Sequence, residues 1–319
     1  MRISVLALDN VFDLGLAAVL DAFQTANELI GMNKLSVPRF DVRTVGVRKM
    51  VKTSQGLRVP VRAIDGRVPD CVVVPAIGFK VPGPLEAALG TSEVRDAGAV
   101  LRQWAGRGAT MSAACIGTFV MAESGLLDRQ QATTTWWLAP MFRARYPAVR
   151  LDESNMIVRS GRFVTAGAAL SHIDLALWLI GRTSPQLASL TAKYLIVDSR
   201  PVQSAYALTD HLIHSDPIVE RFERWARSRL TRGFSLEEAA RAVGSSKRTL
   251  ARRMQAVLGK SPLSYVQALR VERAVHLLKT TDASVDEVAA RVGYADGVTL
   301  RTLLRKQLNQ GVKEIRRAV

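Results

Sequence analysis

Residues 235–262 read SLEEAARAVGSSKRTLARRMQAVLGKSP, and the parsing of the whole chain turns on them. Leu236, Ala239, Ala240 and Val243 recur at helical spacing and make one apolar face. Gly244-Ser245-Ser246 interrupts that helix, and Ser246 stands where a serine caps the next one. The second helix keeps Leu250, Met254 and Val257 on its buried side and turns Lys247, Arg248, Arg252 and Arg253 outward. Two short helices, a glycine turn and a basic second helix compose a helix-turn-helix, and such a second helix fits the major groove of DNA. A helical hairpin with a solvated basic face is the plainer alternative.

A second copy weighs against that alternative. Val285, Val288, Ala289 and Val292 repeat the apolar pattern 49 residues on, and Gly293 follows as Gly244 did. Between the copies, Tyr265 to Leu278 (YVQALRVERAVHLL) is long enough for a spacer helix. Two heads on one spacer can meet successive major-groove faces about 34 Å apart. Ser246, Lys247, Arg248, Arg252 and Arg253 are the DNA-binding candidates of the first head; Thr299, Arg301, Thr302 and Arg305 are those of the second.

Charge is distributed accordingly. The 319 residues carry a net charge of +16, which suits a polyanion partner. From Ile218 onward there are 21 Lys and Arg against 10 Asp and Glu; the rest of the chain has 23 against 18. No basic amphipathic segment stands apart from the repeats to suit a membrane surface. Two cysteines, Cys71 and Cys115, do not make a secreted disulfide scaffold. MRISVLALDN reads as a strand rather than a signal peptide, and the apolar helix Leu170 to Ile180 is too short to span a bilayer. A soluble cytoplasmic protein is expected.

The first half alternates strands and helices. Ile3–Leu8, Phe40–Val47, Cys71–Pro75 and Thr110–Ala114 read as strands, with Cys71–Pro75 apolar enough to be central. Ser54–Ile64 reads as an edge hairpin and Met156–Thr165 as a hairpin turning at Ser160-Gly161. Helices are expected at Leu14–Ile30, Val94–Arg107, Trp136–Tyr146, Leu170–Ile180 and Pro185–Val197. This pattern predicts an α/β fold, a mostly parallel sheet sandwiched between helices, with functional groups at the carboxyl ends of its strands. Gly78 and Cys115 lie there. Ala113-Ala114-Cys115-Ile116-Gly117 joins a strand to a helix N-terminus through small residues, as in a nucleophile elbow, where helix amides lower a thiol pKa. His211 and His214, spaced i, i+3, lack further ligands nearby and read as a solvated linker helix; no metal and no cofactor is implied. Trp136 and Trp137 read as an aromatic wall or as core packing, and Asp174 as a pocket acid, a helix cap or a buried partner.

Both halves resemble known families. The pattern GxSxRTLxRRx…LGxSPxxYxxxLRxERAxxLL followed by VxEVAxxVGY, over roughly Ile218 to Val319, is similar to the DNA-binding domain of AraC/XylS-type regulators. That resemblance implies base contacts at Arg248, Ala251 and Arg252, and phosphate or solvent contacts at Lys247 and Arg253. The second copy departs from it: Leu300, Thr302 and Leu304 stand where Phe-x-Arg-x-x-Phe is usual, Arg301 is shifted one place, and Asn309, Gly311 and Val312 replace the closing Gly-x-Ser-Pro. The second head is therefore expected to read weakly or only to grip the backbone.

Arg2 to Leu195, above all SAACIGTFVMAESGLLDRQQATTT and TAGAALSHIDLALWLI, resembles the ThiJ/PfpI, class I glutamine-amidotransferase-like fold. More narrowly it resembles the sensor half of GlxA-type AraC regulators, with a flavodoxin-like sheet. Where catalytic relatives carry a His after the ATT segment, Thr135 stands here, and the acidic residue of the first helix falls at Asp13 or is replaced by Gly15. No catalytic residue is therefore assigned. Asp13, Gly78, Cys115, Ile116, Thr135 and Trp136 are expected to line a ligand pocket, with Cys115 as an alternative hydrolase or amidase nucleophile, or as an oxidation-sensing thiol. The resemblance implies residues 1–197 as sensor, 198–217 as linker and 218–319 as a tandem helix-turn-helix domain. Its implied function is a transcription activator acting on promoter DNA through RNA polymerase, with a small-molecule effector and a homodimeric state.

Overall fold

The structure, a computed structural model, describes residues 1–198, 200, 202–203 and 206–317. It divides into two compact units, Met1–Gln203 and Ser204–Val319. The segment 198–217 is therefore shared between them: Gln203 is buried in the first, and Asp216 in the second.

Unit 1 begins with β1 (Arg2–Leu6), α1 (Asp13–Met32), β2 (Asp41–Gly46), β3 (Met50–Lys52), β4 (Arg58–Pro60), β5 (Arg62–Ala63) and β6 (Cys71–Val74). It continues through α2 (Pro82–Leu89), α3 (Ser92–Gly106), β7 (Thr110–Ala114), α4 (Gly117–Glu123), β8 (Gln131–Ala132), α5 (Ala139–Arg145) and β9 (Arg150–Leu151). β10 (Ile157–Ser160), β11 (Phe163–Ala166), α6 (Ser171–Thr183) and α7 (Pro185–Tyr194) complete it. The main sheet has the order β10-β11-β7-β6-β1-β2-β5 and is parallel except for the β10–β11 hairpin. β6 is central, and all four of its residues are buried, so helices cover both of its faces. Cys71 and Val73 share a core with α1, α6 and α7; α3 and α4 pack on β6 and β7.

Three local expectations shift. The edge hairpin pairs β3 with β4 around a turn closed by Thr53 N–H to Leu57 O, beginning before Ser54. The predicted helix 136–146 starts as a 3₁₀ turn, Trp136–Leu138, and becomes α-helical at Ala139, where Pro140 gives up no helical hydrogen bond. α2, opening with two prolines, carried too little periodicity to be read.

Unit 2 is helical: α8 (Pro217–Arg227), α9 (Leu236–Ala242), α10 (Lys247–Leu258), α11 (Pro262–Thr280), α12 (Val285–Arg291), α13 (Gly297–Leu308) and α14 (Val312–Arg317). It has two cores. Leu250, Met254 and Leu258 of α10 join Val219, Phe222 and Tyr265 in one; Leu300 and Leu304 of α13 join Val288, Val292 and Ile315 in the other. α11 contributes to both, with Tyr265, Val266 and Leu269 in the first and Val271, Ala274 and Leu278 in the second.

Arg270 sits between these two sets and is only 6% exposed. Its Nε donates to Leu230 O at 2.9 Å, its other nitrogen donates to Arg232 O, and its guanidinium lies 5.1 Å from the Tyr294 ring centroid. Gly293, at φ +88°, approaches so closely that a Cβ there would stand 2.4 Å from Leu230 O. Arg270→Met should leave two carbonyls unpaired and lower the stability of this unit by roughly 2–4 kcal/mol. Urea unfolding of the full chain followed by helical circular dichroism measures this; an unchanged transition would contradict it.

Candidate nucleic-acid interface and cysteine elbow

The first reading head is built from its caps. Gly244 turns the chain at φ +68°, and the Ser246 side chain accepts the Thr249 amide at 3.0 Å, fixing where α10 begins. Leu250 and Met254 anchor the helix, so Arg248 and Arg252, four residues apart, share its exposed face. Among the described residues neither has an ion-pair partner. Lys247 lies 3.7 Å from Glu237, both well exposed, a weak pair in water. Arg253 differs from its expected placement: it pairs at 2.6 Å with Asp216, which is buried and caps α8 through the Ile218 and Val219 amides.

The second head repeats the cap with Asp296, which accepts the Thr299 amide at 2.8 Å and the Thr299 hydroxyl at 3.2 Å. That amide and the hydroxyl hold the Asp296 carboxyl below the usual range. The cap lies 50 residues after Ser246, whereas the glycines lie 49 apart, so the second turn is one residue longer. Tyr294, tucked beneath Arg270, occupies that turn. In the resulting register Val298 matches Arg248, Arg301 matches Ala251, Thr302 matches Arg252 and Arg305 matches Gln255. Arg301 and Arg305 are exposed and have no carboxylate partner among the described residues.

In unit 1 the loops after β1, β3, β6 and β7 meet at the carboxyl ends of the strands. Asn10 N–H donates to Lys52 O, Ser54 N–H to Val11 O, Phe12 N–H to Ala76 O and Gly78 N–H to Asn10 O. Asp13 accepts the Ser54 hydroxyl at 2.7 Å and the Gln55 amide at 3.0 Å. Burial would raise its pKa, but hydrogen bonds from Thr53, Ser54 and Gln55 outweigh it and hold the carboxyl below the usual range. Gly78 packs on the same Ser54, with no room for a Cβ. Asp13 and Gly78 thus join one group, while Cys115, Ile116 and Thr135 lie buried in another; Trp136 is half-buried, edge-to-face with Trp137.

Cys115 has the strained elbow geometry, with φ +55°. Gly117 makes it fit: a Cβ there would be 2.2 Å from Val74 O. The Cys115 amide donates to Ala166 O, and its carbonyl accepts the Thr134 hydroxyl at 2.7 Å. The expected lowering of its pKa does not occur. Burial pushes the thiol up to about 12, against the pull of the Ile116 amide and the Thr135 hydroxyl. The thiol is 3% exposed, so the environment of an exposed, acidic redox cysteine is absent.

His172 is unsuited to serve as a base. Its Nε2 accepts the Ala76 amide at 3.0 Å and its Nδ1 donates to Ala169 O at 2.6 Å. Gly15 packs flat on the ring, where a Cβ would be 2.6 Å from Nε2. Asp174 is a partly buried partner, paired with Arg200 at 2.7 Å. His214 is buried against Glu223, which replaces the expected solvated linker helix.

Sequence reasoning missed Gln203, which lay in a polar stretch with no periodicity. It is 1% exposed and donates to Thr133 Oγ1 at 2.7 Å and to Thr134 O at 3.0 Å. Gly167 leaves room for its carboxamide, whose Oε1 has no hydrogen-bond partner among the described residues, as is true of the buried hydroxyls of Thr118 and Ser171.

A DJ-1-like sheet domain followed by paired, capped recognition helices defines a sequence-specific DNA-binding transcription regulator. The chain belongs to the DJ-1/PfpI family, which it matches over residues 1–182, and it carries a helix-turn-helix domain, matched over residues 239–318. It is 27% identical over 299 residues to the HTH-type transcriptional regulator GbdR of Pseudomonas aeruginosa, covering 92% of this chain and 77% of that one. It is 32% identical over 110 residues to the HTH-type transcriptional activator RhaS of an Enterobacter species, covering 34% and 40%. Its fold is similar to that of an AraC family transcriptional regulator from Pseudomonas putida, with a TM-score of 0.51 and 17% identity over 61% of this chain and 98% of that one. Among the described residues no helix is long and apolar enough to cross a membrane.

Burial holds His172 at about 4, below the ordinary 6.5. The unfolded chain therefore takes up this proton first as pH falls. The stabilisation is complete above pH 6.5 and is lost between about 6.5 and 4. Relative to His172→Gln, the wild type should lose on the order of 3 kcal/mol across that window in urea titrations at each pH. A constant difference would refute the assignment.

Proposed function

We propose that this regulator reads base edges with Arg248 and Arg252, and grips phosphate with Lys247 and, from α13, Arg301 and Arg305. The observation that carries this reading is the Arg248–Arg252 pair: two exposed guanidiniums on one face of a capped helix, with no carboxylate partner among the described residues. Bidentate donation to guanine O6 and N7 is the chemistry that suits them. Arg253 is left out of the interface, because it braces α8 through Asp216. Thr299 and Thr302 belong to the second head's surface. Residues 1–197 are the sensor and 218–319 the DNA-binding module.

The elbow region serves as the seat of a small-molecule effector rather than as a catalyst. In support, Cys115 is enclosed, Thr135 stands beside it in place of a base, and both His172 nitrogens are engaged. Gln203 ties this region to the start of the segment leading out of unit 1. A ligand that competes for Thr133 and Thr134 would bias that segment, which is the differential contact that coupling requires. The name of RhaS supports activation, through RNA polymerase, and a cytoplasmic homodimer completes the reading. The strained φ of Cys115 favours one rival, a cysteine hydrolase or amidase. Thiol-dependent hydrolysis by the full chain, abolished in Cys115→Ser, would establish it.

Arg248→Ala and Arg252→Ala should each weaken binding to the selected operator by about 1–3 kcal/mol and weaken binding to random duplex less. Lys247→Ala should weaken both alike and lower the salt slope by about one. Fluorescence anisotropy with the full chain measures all three. Equal losses on operator and random DNA for Arg248→Ala would overturn base reading.

A further inference from the structure

The two recognition helices offer the groove different chemistry. In the shared register, the positions that hold Arg248 and Arg252 on α10 hold Val298 and Thr302 on α13. Val298 is 67% exposed, while the adjoining Leu300 and Leu304 are fully buried. A β-branched side chain in the first turn contributes little to helix formation, and none of the described residues of unit 2 buries this one.

The polar groups around it are already engaged. The Thr302 hydroxyl donates to Val298 O at 3.0 Å, and the Thr299 hydroxyl donates to the Asp296 carboxylate at 3.2 Å. Neither retains a proton for a base acceptor. With its hydroxyl proton engaged, Thr302 has only acceptor capacity to offer, and Val298 is the apolar member of this outward stripe, flanked by the basic stripe of Arg301 and Arg305.

We propose that the second head does more than hold the backbone: Val298 reads a thymine by packing on its C5-methyl group, with Arg301 and Arg305 setting the helix against the phosphates. The thymine methyl is the one apolar group the major groove displays, so an exposed valine at the first turn of a recognition helix has one natural counterpart there. This inference rests on unit 2 binding duplex DNA through α10 and α13. The protein then reads one half-site by donated hydrogen bonds and the other by shape and methyl contact. Such a contact is specific without being strong.

The test removes only the methyl. An operator chosen by the full chain from randomised duplex is resynthesised with each thymine replaced singly by deoxyuridine. For the wild type, one or two replacements in the half-site distal to that read by α10 should weaken binding about three- to tenfold. Val298→Ala should show the same loss on unmodified operator and be indifferent to those replacements. Alanine is the better helix former, so helix loss cannot mimic this result. Overturning results are a distal half-site without thymine, undiminished binding by Val298→Ala, or losses that add at every thymine. If Arg248→Ala discriminates against the operator while Val298→Ala does not, this inference fails alone. If neither does, the reading of unit 2 fails with it.

Discussion

The buried guanidinium of Arg270 is the constraint on which unit 2 depends. Each helix-turn-helix has its own small core, and neither core alone is large. α11 threads both, but a shared helix fixes only an axis. Arg270 fixes the rotation. It draws the 230–232 carbonyls of the first head and the Tyr294 ring of the second onto one planar cation. A lysine would reach one carbonyl; the forked guanidinium reaches two and stacks besides. Spacing between reading heads matters as much as their side chains, since DNA repeats its groove about every 34 Å. Arg270 thus fixes how the two helix-turn-helix motifs are held relative to one another, the geometry on which the two-headed reading proposed above rests.

Unit 1 balances strain differently. Cys115 keeps a positive φ that in other settings exposes a nucleophile, yet here the space around it is closed. Gly117 permits the close approach to Val74 O, and hydrogen bonds from Thr134 and to Ala166 hold the turn. A thiol needs an amide field and water, and burial removes the second faster than Ile116 replaces the first. The same burial acts on His172, which is held neutral as a fixed donor and acceptor between two loops.

Features written in short-range chemistry were legible. Ser246 as a cap, Gly244 and Gly293 as turns, the β6 run as the central strand and the turn at Ser160-Gly161 all follow from backbone preferences of neighbouring residues. What escaped depends on partners far away in sequence. The sequence places Arg253 among the phosphate or solvent contacts, and its pairing with Asp216, 37 residues away, has no local signal; nor do the carbonyls that Arg270 reaches from within the spacer helix. The second head was harder still. Its extra turn residue moves the whole of α13 by one position relative to the glycines, so the 49-residue offset of the glycines does not carry over to the helix. The cap at Asp296 fixes the register, which sets Thr302 against Arg252, in keeping with the motif's placing Thr302 where an arginine is usual.

The same lesson bears on how the two halves can communicate. The chain leaving unit 1 is held by polar contacts rather than by an apolar plug: Arg200 on Asp174 and Leu170 O, Gln203 on Thr133 and Thr134. Apolar plugs resist small polar ligands, whereas hydrogen-bonded ones can be exchanged for them at little net cost, since one donor replaces another. Gln203 Oε1, buried and without a hydrogen-bond partner among the described residues, is an acceptor open to such an exchange. Under the effector reading proposed above, no flexible core is required: the docking energy of the segment has to be comparable to that of the ligand that displaces it, and a few hydrogen bonds meet that condition.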